Sequence, residues 1–99
     1  MVLAVFRSRL REENAEEFQR LAEEMVGIAR AMPGFLSYKV FVAEDGERAS
    51  LIEFDTPEHL LAWRQHPRHV EAQGIGRERF YHEYTLHVGE PLRESRFQR

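Results

Sequence analysis

The spacing of apolar residues changes period along the 99-residue chain, and the order of these changes limits the folds that the chain can adopt. Four segments rich in β-branched and aromatic residues predict strands: 2–10, 35–43, 48–55 and 77–88. Between the first two, apolar residues recur at spacings of three and four from Phe18 to Met32, which predicts an amphipathic helix. Thr56-Pro57 begins a second helix and Pro67 a further short one, so the order is β-α-β-β-α-β.

Local signals mark the boundaries of these elements. Asn14, with Glu17 three residues later, has the form of a capping box at the start of the first helix, and Pro33-Gly34 ends that helix. Asp45-Gly46, between the second and third strands, predicts a hairpin. Strict alternation in the last strand predicts two faces, one with Phe80, His82, Tyr84, Leu86 and Val88 and the other with Tyr81, Glu83, Thr85 and His87.

A compact solution for this order is an α+β, ferredoxin-like fold, in which a four-stranded antiparallel sheet carries the helices on one face. The strands, however, carry large apolar or aromatic side chains on both faces. A bare face of that kind would be a large exposed apolar patch. We therefore expect a second copy to cover it, sheet on sheet, in a two-fold homodimer. The domain is predicted to span residues 1–90, with a polar C-terminal tail at 91–99.

Composition excludes several classes of protein. The chain has no cysteine, which removes disulfides and thiolate chemistry but leaves haem or histidine-bound metal open. The formal net charge of −3 does not favour nucleic-acid binding. No apolar run approaches the ~20 residues of a membrane-spanning helix. We expect a cytoplasmic protein that binds neither nucleic acid nor membrane.

Three stretches resemble the antibiotic biosynthesis monooxygenase family: "MPGFLSYKVF", "AEDGERASLIEFDT" and "AWRQHPRHVEAQGIGRERFYHEY". The similarity extends over roughly residues 2 to 90, and the last stretch is its most specific part. The resemblance implies a dimeric α+β barrel. It also implies oxidation of a small aromatic phenol, quinol or anthrone by O₂ without a cofactor or a metal.

Such chemistry needs a dry apolar cavity, a base near the acidic proton and donors for the developing oxyanion. The candidate catalytic residues are His66, His69 and His82, and the candidate substrate-binding residues are Phe6, Tyr38, Phe41 and Trp63. Several of them also have a structural interpretation. Trp63 could fill the core, His66 could cap the helix that Pro67 begins, and His82 could be a buried, hydrogen-bonded histidine.

Two other functions stay open. A haem-degrading branch of the same fold carries an Asn on the first strand, a Trp in the second helical region and a His about ten residues later. Here Trp63 matches, whereas Phe6 and Gln73 occupy the other two positions. The remaining alternative is a non-catalytic dimer that binds a small ligand, because a fold does not fix an activity.

Overall fold

A computed structural model describes residues 1–99 and places four strands and three helices in the chain. The elements are β1 (Val2–Leu10), α1 (Ala15–Ala31), β2 (Phe35–Val42), β3 (Arg48–Phe54), α2 (Pro57–Arg64), α3 (Pro67–Ile75) and β4 (Tyr81–Gly89), with a π-helical turn at Gly76–Phe80 before β4. The strands form one antiparallel sheet in the order β2-β3-β1-β4. The predicted ferredoxin-like α+β fold is therefore confirmed. None of the helices combines the length and the apolar character needed to cross a lipid bilayer.

The register of the two central strands decides which side chains meet the helices. Ala4 lies opposite Ile52, and both are buried. The next inward pair along the strands joins Phe6 to Ser50, so each pair combines a large side chain with a small one. The intervening residues point to the face that the helices leave uncovered, because successive side chains alternate across a strand.

The buried core lies between one half of the sheet and the helices. Its members come from β1, α1, β3, α2 and α3: Val2, Ala4, Met25, Ala29, Ile52, Phe54, Leu60, Trp63 and Ala72. A separate aromatic contact closes the other end, where Phe80 is buried with its ring centroid 5.6 Å from that of Phe18. The two layers are thus held together by large side chains at both ends.

Two of the helices begin as the sequence predicts. The Thr56 hydroxyl accepts a hydrogen bond from the backbone N–H of His59 at 3.2 Å, with Pro57 as the first residue of α2. At the start of α3, Nδ1 of His66 accepts from the backbone N–H of Arg68 at 3.1 Å. His66 is therefore a helix cap, which was one of its two predicted roles.

The predicted capping box at α1 is wrong. Asn14 has a left-handed backbone, with φ 64°, and its side chain makes no capping bond. Its Nδ2 instead donates to the carbonyl oxygen of Arg79 at 3.2 Å. The Glu17 carboxylate accepts from Nη2 of Arg79 at 2.7 Å. Both side chains therefore bind Arg79 in the π-helical turn and do not form the reciprocal bonds of a capping box.

The predicted start of the last strand is also wrong. Residues 76–80 form the π-helical turn, and β4 begins only at Tyr81. Leu10 pairs with Tyr81 while Arg9 pairs with Glu83, so the register shifts at this point and His82 has no opposite partner. This irregularity breaks the alternation and places Tyr81 on the same side of the sheet as Tyr84, with ring centroids 5.6 Å apart.

We expect Gly76→Ala to destabilise the protein by about 1–3 kcal/mol, because overpacking a fitted site costs that much. A Cβ at Gly76 would lie 2.6 Å from Cε2 of Tyr81. Gly74→Ala is the matched control, since it lies in the preceding helix with open space around its Cβ position. That control is expected to be neutral or up to about 1 kcal/mol more stable. Equal unfolding free energies for the two variants in chemical denaturation would contradict this role of Gly76.

Candidate functional site

A cavity of about 560 Å³ lies between the sheet and the helices. We call it the interlayer cavity; its floor is formed by inward residues of all four strands, including Ala4, Phe6, Ser8, Tyr38, Arg48, Ser50, Tyr84 and Leu86. Its roof comes from α1, α2 and α3, including Phe18, Leu21, Ala22, Met25, Trp63, His69, Ala72 and Gln73. Of its 27 lining residues 16 are hydrophobic, and its volume is within the range of small-molecule sites.

The cavity exists because the inward side chains in the middle of the sheet are short. Ala4, Ser8 and Ser50 line the floor, and Ala22 faces them from α1. Large side chains at the two ends keep the layers apart, so the short ones cannot close the space between them. Aromatic side chains therefore line the walls of the cavity and do not fill it.

Trp63 joins the helices to one another and to the sheet. It is 3% exposed, and its Nε1–H donates to the carbonyl oxygen of Met25 on α1 at 3.2 Å. Its ring stacks on Phe54 and meets the edge of Tyr38, with centroid distances of 6.0 and 5.9 Å. The predicted position on the cavity wall is correct, but its N–H is engaged by the backbone and does not serve a guest as donor.

His69 is the histidine that lines the cavity. Its ring lies against Trp63 with a centroid distance of 4.2 Å, and its Nδ1 is 3.1 Å from the Trp63 carbonyl oxygen. A carbonyl oxygen only accepts, so Nδ1 carries the proton and Nε2 of the neutral ring holds a free lone pair. Burial lowers the pKa of His69, and the charges of Arg64 and His66 act in the same direction, against the hydrogen bond to the carbonyl.

Two tyrosines in the cavity keep their phenolic protons at neutral pH. Burial raises the pKa of Tyr81 to about 12, with a further contribution from Tyr38. Burial also raises the pKa of Tyr38, and the Ser50 side chain and the charge of Arg48 oppose this rise. Protonated phenols can donate hydrogen bonds to an oxygen that becomes negative.

The structure brings together four of the seven predicted site residues. Phe6, Tyr38, Trp63 and His69 all line the interlayer cavity. Phe6 contacts Tyr81 edge-on, with ring centroids 5.4 Å apart. Sequence alternation had placed Tyr81 on the other face of β4, and only the register shift brings it into the cavity.

The other three predicted residues lie outside the cavity. His66 caps α3, as described above. His82 is exposed on β4, so the expected burial of this residue is wrong. Phe41 is 53% exposed and pairs with Ala49 on the side of the sheet that the helices leave uncovered. No group of three His, Asp or Glu side chains is arranged to hold a metal ion.

Phe18 and Arg48 line the cavity but were not predicted as site residues. Phe18 belonged to the predicted apolar stripe of α1, but its contact with the π-helical turn could not be foreseen. Arg48, which directly follows the hairpin turn, has the sequence context of a surface residue. Its position at the cavity depends on the inward register of β3.

Comparison with known proteins identifies relatives of this chain. The profile of the family described as antibiotic biosynthesis monooxygenase matches residues 1–74. The uncharacterized protein YqjZ of Bacillus subtilis (strain 168) is 32% identical over 95 residues, which cover 96% of this chain and 83% of YqjZ.

Solved structures share the fold at lower sequence identity. Rv0793 from Mycobacterium tuberculosis superposes with a TM-score of 0.82 at 22% identity, covering 96% of this chain and 98% of that one. SnoaB from Streptomyces nogalater, described as a cofactor-independent oxygenase, superposes with a TM-score of 0.77 at 12% identity, covering 94% of each chain. These two likenesses are evidence of a common fold.

We expect the neutral state of His69 to make the protein less stable in acid. A histidine whose pKa is lowered by folding binds its proton more readily in the unfolded chain, so stability is full above the unfolded pKa of about 6.5 and falls as the pH drops below it. Unfolding free energies measured between pH 8 and pH 5 should fall more steeply for the wild type than for His69→Gln. An NMR titration midpoint of His69 at or above the ordinary histidine value would contradict this account.

Proposed function

Because the chain belongs to the antibiotic biosynthesis monooxygenase family, we propose that it oxidises a small aromatic phenol, quinol or anthrone with O₂ in the interlayer cavity and without a cofactor. One observation carries the proposal. A neutral histidine, His69, lines a mainly apolar cavity of about 560 Å³, and its Nε2 has no hydrogen-bond partner in the protein. That combination provides a base and a mainly apolar space in one place.

The chemistry can be written for an anthrone. Nε2 of His69 takes a proton from the methylene carbon of the anthrone, which leaves an electron-rich enolate. The enolate transfers an electron to O₂, and the resulting carbon radical and superoxide combine to a peroxide anion at the carbon that lost the proton. The protonated His69 returns its proton to this anion, which gives a hydroperoxide and restores the neutral base. Loss of water from the peroxide then gives the quinone, so one oxygen atom enters the product as a carbonyl and the other leaves in water. The substrate supplies both electron pairs that the reduction of O₂ requires.

Residues on the cavity walls suit each step of this reaction. The phenols of Tyr38 and Tyr81 stay protonated and can donate to the enolate oxygen. Aromatic rings of Phe6 and Trp63 offer edges and faces on which a planar substrate can pack. The Trp63 carbonyl fixes the tautomer of His69, which keeps the reactive nitrogen as acceptor.

Haem degradation is less well supported by the same geometry. The two positions where that branch carries an Asn and a His hold Phe6 and Gln73, and both line the cavity. The imidazole that lines the cavity belongs to His69, four residues before the position where that branch carries its His.

Oxygen uptake on a panel of quinols and anthrones tests the proposed activity. We expect the wild type to consume O₂ faster than buffer, and His69→Gln to lower kcat by about 10²–10⁴-fold, the usual contribution of a general base. His82→Ala removes an exposed imidazole outside the cavity and is expected to retain wild-type rates. A rate that falls for His82→Ala and not for His69→Gln would assign the base to β4 instead. A wild type no faster than buffer across the panel would contradict the oxygenase proposal.

We further propose that two copies pack sheet on sheet. The uncovered face of the sheet carries a patch of apolar side chains along its middle: Leu3, Val5, Phe41, Ala49 and Leu51. Val5 and Leu51 are directly opposite each other on the two central strands. Burial of this patch against its own copy in a two-fold dimer would remove it from water.

Leu51→Arg is expected to convert the dimer to a monomer, because a charge would then lie at the centre of an apolar interface. Sedimentation velocity at micromolar concentration measures the change. Gln65→Arg adds the same charge at an exposed position on the helical side and is expected to stay dimeric. A wild type that sediments as a monomer would overturn the dimer.

A further inference from the structure

Arg48 places an unpaired positive charge in the interlayer cavity. It is the first residue of β3 and lies opposite Ser8 of β1 with its side chain on the helix side of the sheet. Its guanidinium lies 5.2 Å from the ring centroid of Phe18 on α1. No carboxylate lies within ion-pair distance, and no protein group forms a hydrogen bond with its side chain.

Two other arginines near the ends of the strands differ from Arg48 because each has a carboxylate partner. Arg7 pairs with Glu47 at 2.8 Å, and Arg9 pairs with Asp45 at 2.8 Å. Both project from the opposite face of β1, where the hairpin supplies carboxylates. Arg48 starts the strand after that same hairpin but faces inward, where it lies opposite Ser8 and beside the ring of Phe18.

The charge of Arg48 reaches the phenols of the cavity. It lowers the pKa of both Tyr38 and Tyr81, against the larger effect of burial. Both phenols nevertheless stay neutral, so the cavity holds a guanidinium whose five N–H donors have no anion to bind. A guanidinium without a carboxylate partner is stabilised most by an anion that enters with two acceptor lone pairs.

We propose that Arg48 is the anion-binding residue of the interlayer cavity, and that the aromatic guest binds to it as a phenolate. The inference deepens the proposed function, because it names the charge state of the substrate at that site. A guanidinium next to the phenolate oxygen would favour loss of the phenolic proton and would hold the negative charge until an electron passes to O₂. The neutral phenols of Tyr38 and Tyr81 would then complete the set of donors.

A matched pair of fluorescent probes tests the selection of anions without any turnover. Anilinonaphthalene sulfonate and N-phenylnaphthylamine share the same aromatic framework, but only the first carries a negative charge. We expect Arg48→Gln to weaken binding of the sulfonate by about 10-fold or more, the loss typical of a charge-assisted hydrogen bond. Binding of the neutral probe should change less than about 2-fold, which also shows that the variant is folded and keeps its cavity. Arg20→Gln removes the same charge from an exposed position of α1 outside the cavity and should change neither affinity.

Competition at mildly alkaline pH extends the test from a sulfonate to a phenolate. Ionised para-nitrophenol and neutral para-nitroanisole should displace the neutral probe from the wild type with a clear preference for the phenolate. Arg48→Gln should abolish that preference, and Arg48→Lys should restore part of it because the charge returns without the planar fork.

The outcomes separate this inference from the proposed activity. If Arg48→Gln binds all four compounds as the wild type does, the assignment of Arg48 is overturned, and oxygen uptake by the wild type would still support the oxygenase. If the wild type prefers the sulfonate but not the phenolate, the proposed phenolate is overturned. If no probe binds the wild type, the cavity is not a guest site, and both proposals are wrong.

Discussion

The rest of the structure depends on the contacts of Trp63, which joins the helices to the sheet. The indole N–H donates to the Met25 carbonyl oxygen of α1, and the indole ring packs on the sheet. The backbone carbonyl oxygen of Trp63 accepts a hydrogen bond from His69. One buried residue thereby sets the distance between the layers and the orientation of the histidine on the cavity wall. A smaller side chain at this position would leave the Met25 carbonyl without this donor and the imidazole without its aromatic neighbour. The stability of the protein and the proposed chemistry therefore depend on the same residue, Trp63.

The cavity follows from an uneven distribution of side-chain size. Aromatic residues lie at its two ends. The short side chains of Ala4, Ser8 and Ser50 line its floor and do not fill the space between the layers. A mainly apolar space of this size that contains the imidazole of His69 and the unpaired guanidinium of Arg48 is chemically asymmetric. A base at one point and a cation at another suit a guest that loses a proton and keeps the resulting charge. The proposed oxidation of such a guest by O₂ agrees with membership of the antibiotic biosynthesis monooxygenase family.

Local signals in the sequence were sufficient for most of the fold and for part of the site. The turn at Gly34, with φ 80°, and the Thr56 cap depend only on neighbouring residues, so they could be predicted directly. The failures come from tertiary structure. One register shift beside Arg9 leaves His82 at the surface and moves Tyr81 into the cavity, and no alternation pattern contains that information. Arg48 was missed for a similar reason, because the absence of a carboxylate partner is a property of the folded surroundings and not of the sequence.

The central claim is that the space between the layers stays open for an aromatic guest. A crystal structure of the protein grown with an anthrone or a quinol tests this most directly. The account predicts planar density between the sheet and α1, with its ionisable oxygen nearest the guanidinium of Arg48 and its acidic proton within hydrogen-bond reach of Nε2 of His69. An interior filled by the protein's own aromatic side chains, with the guest absent or bound at the surface, would contradict it.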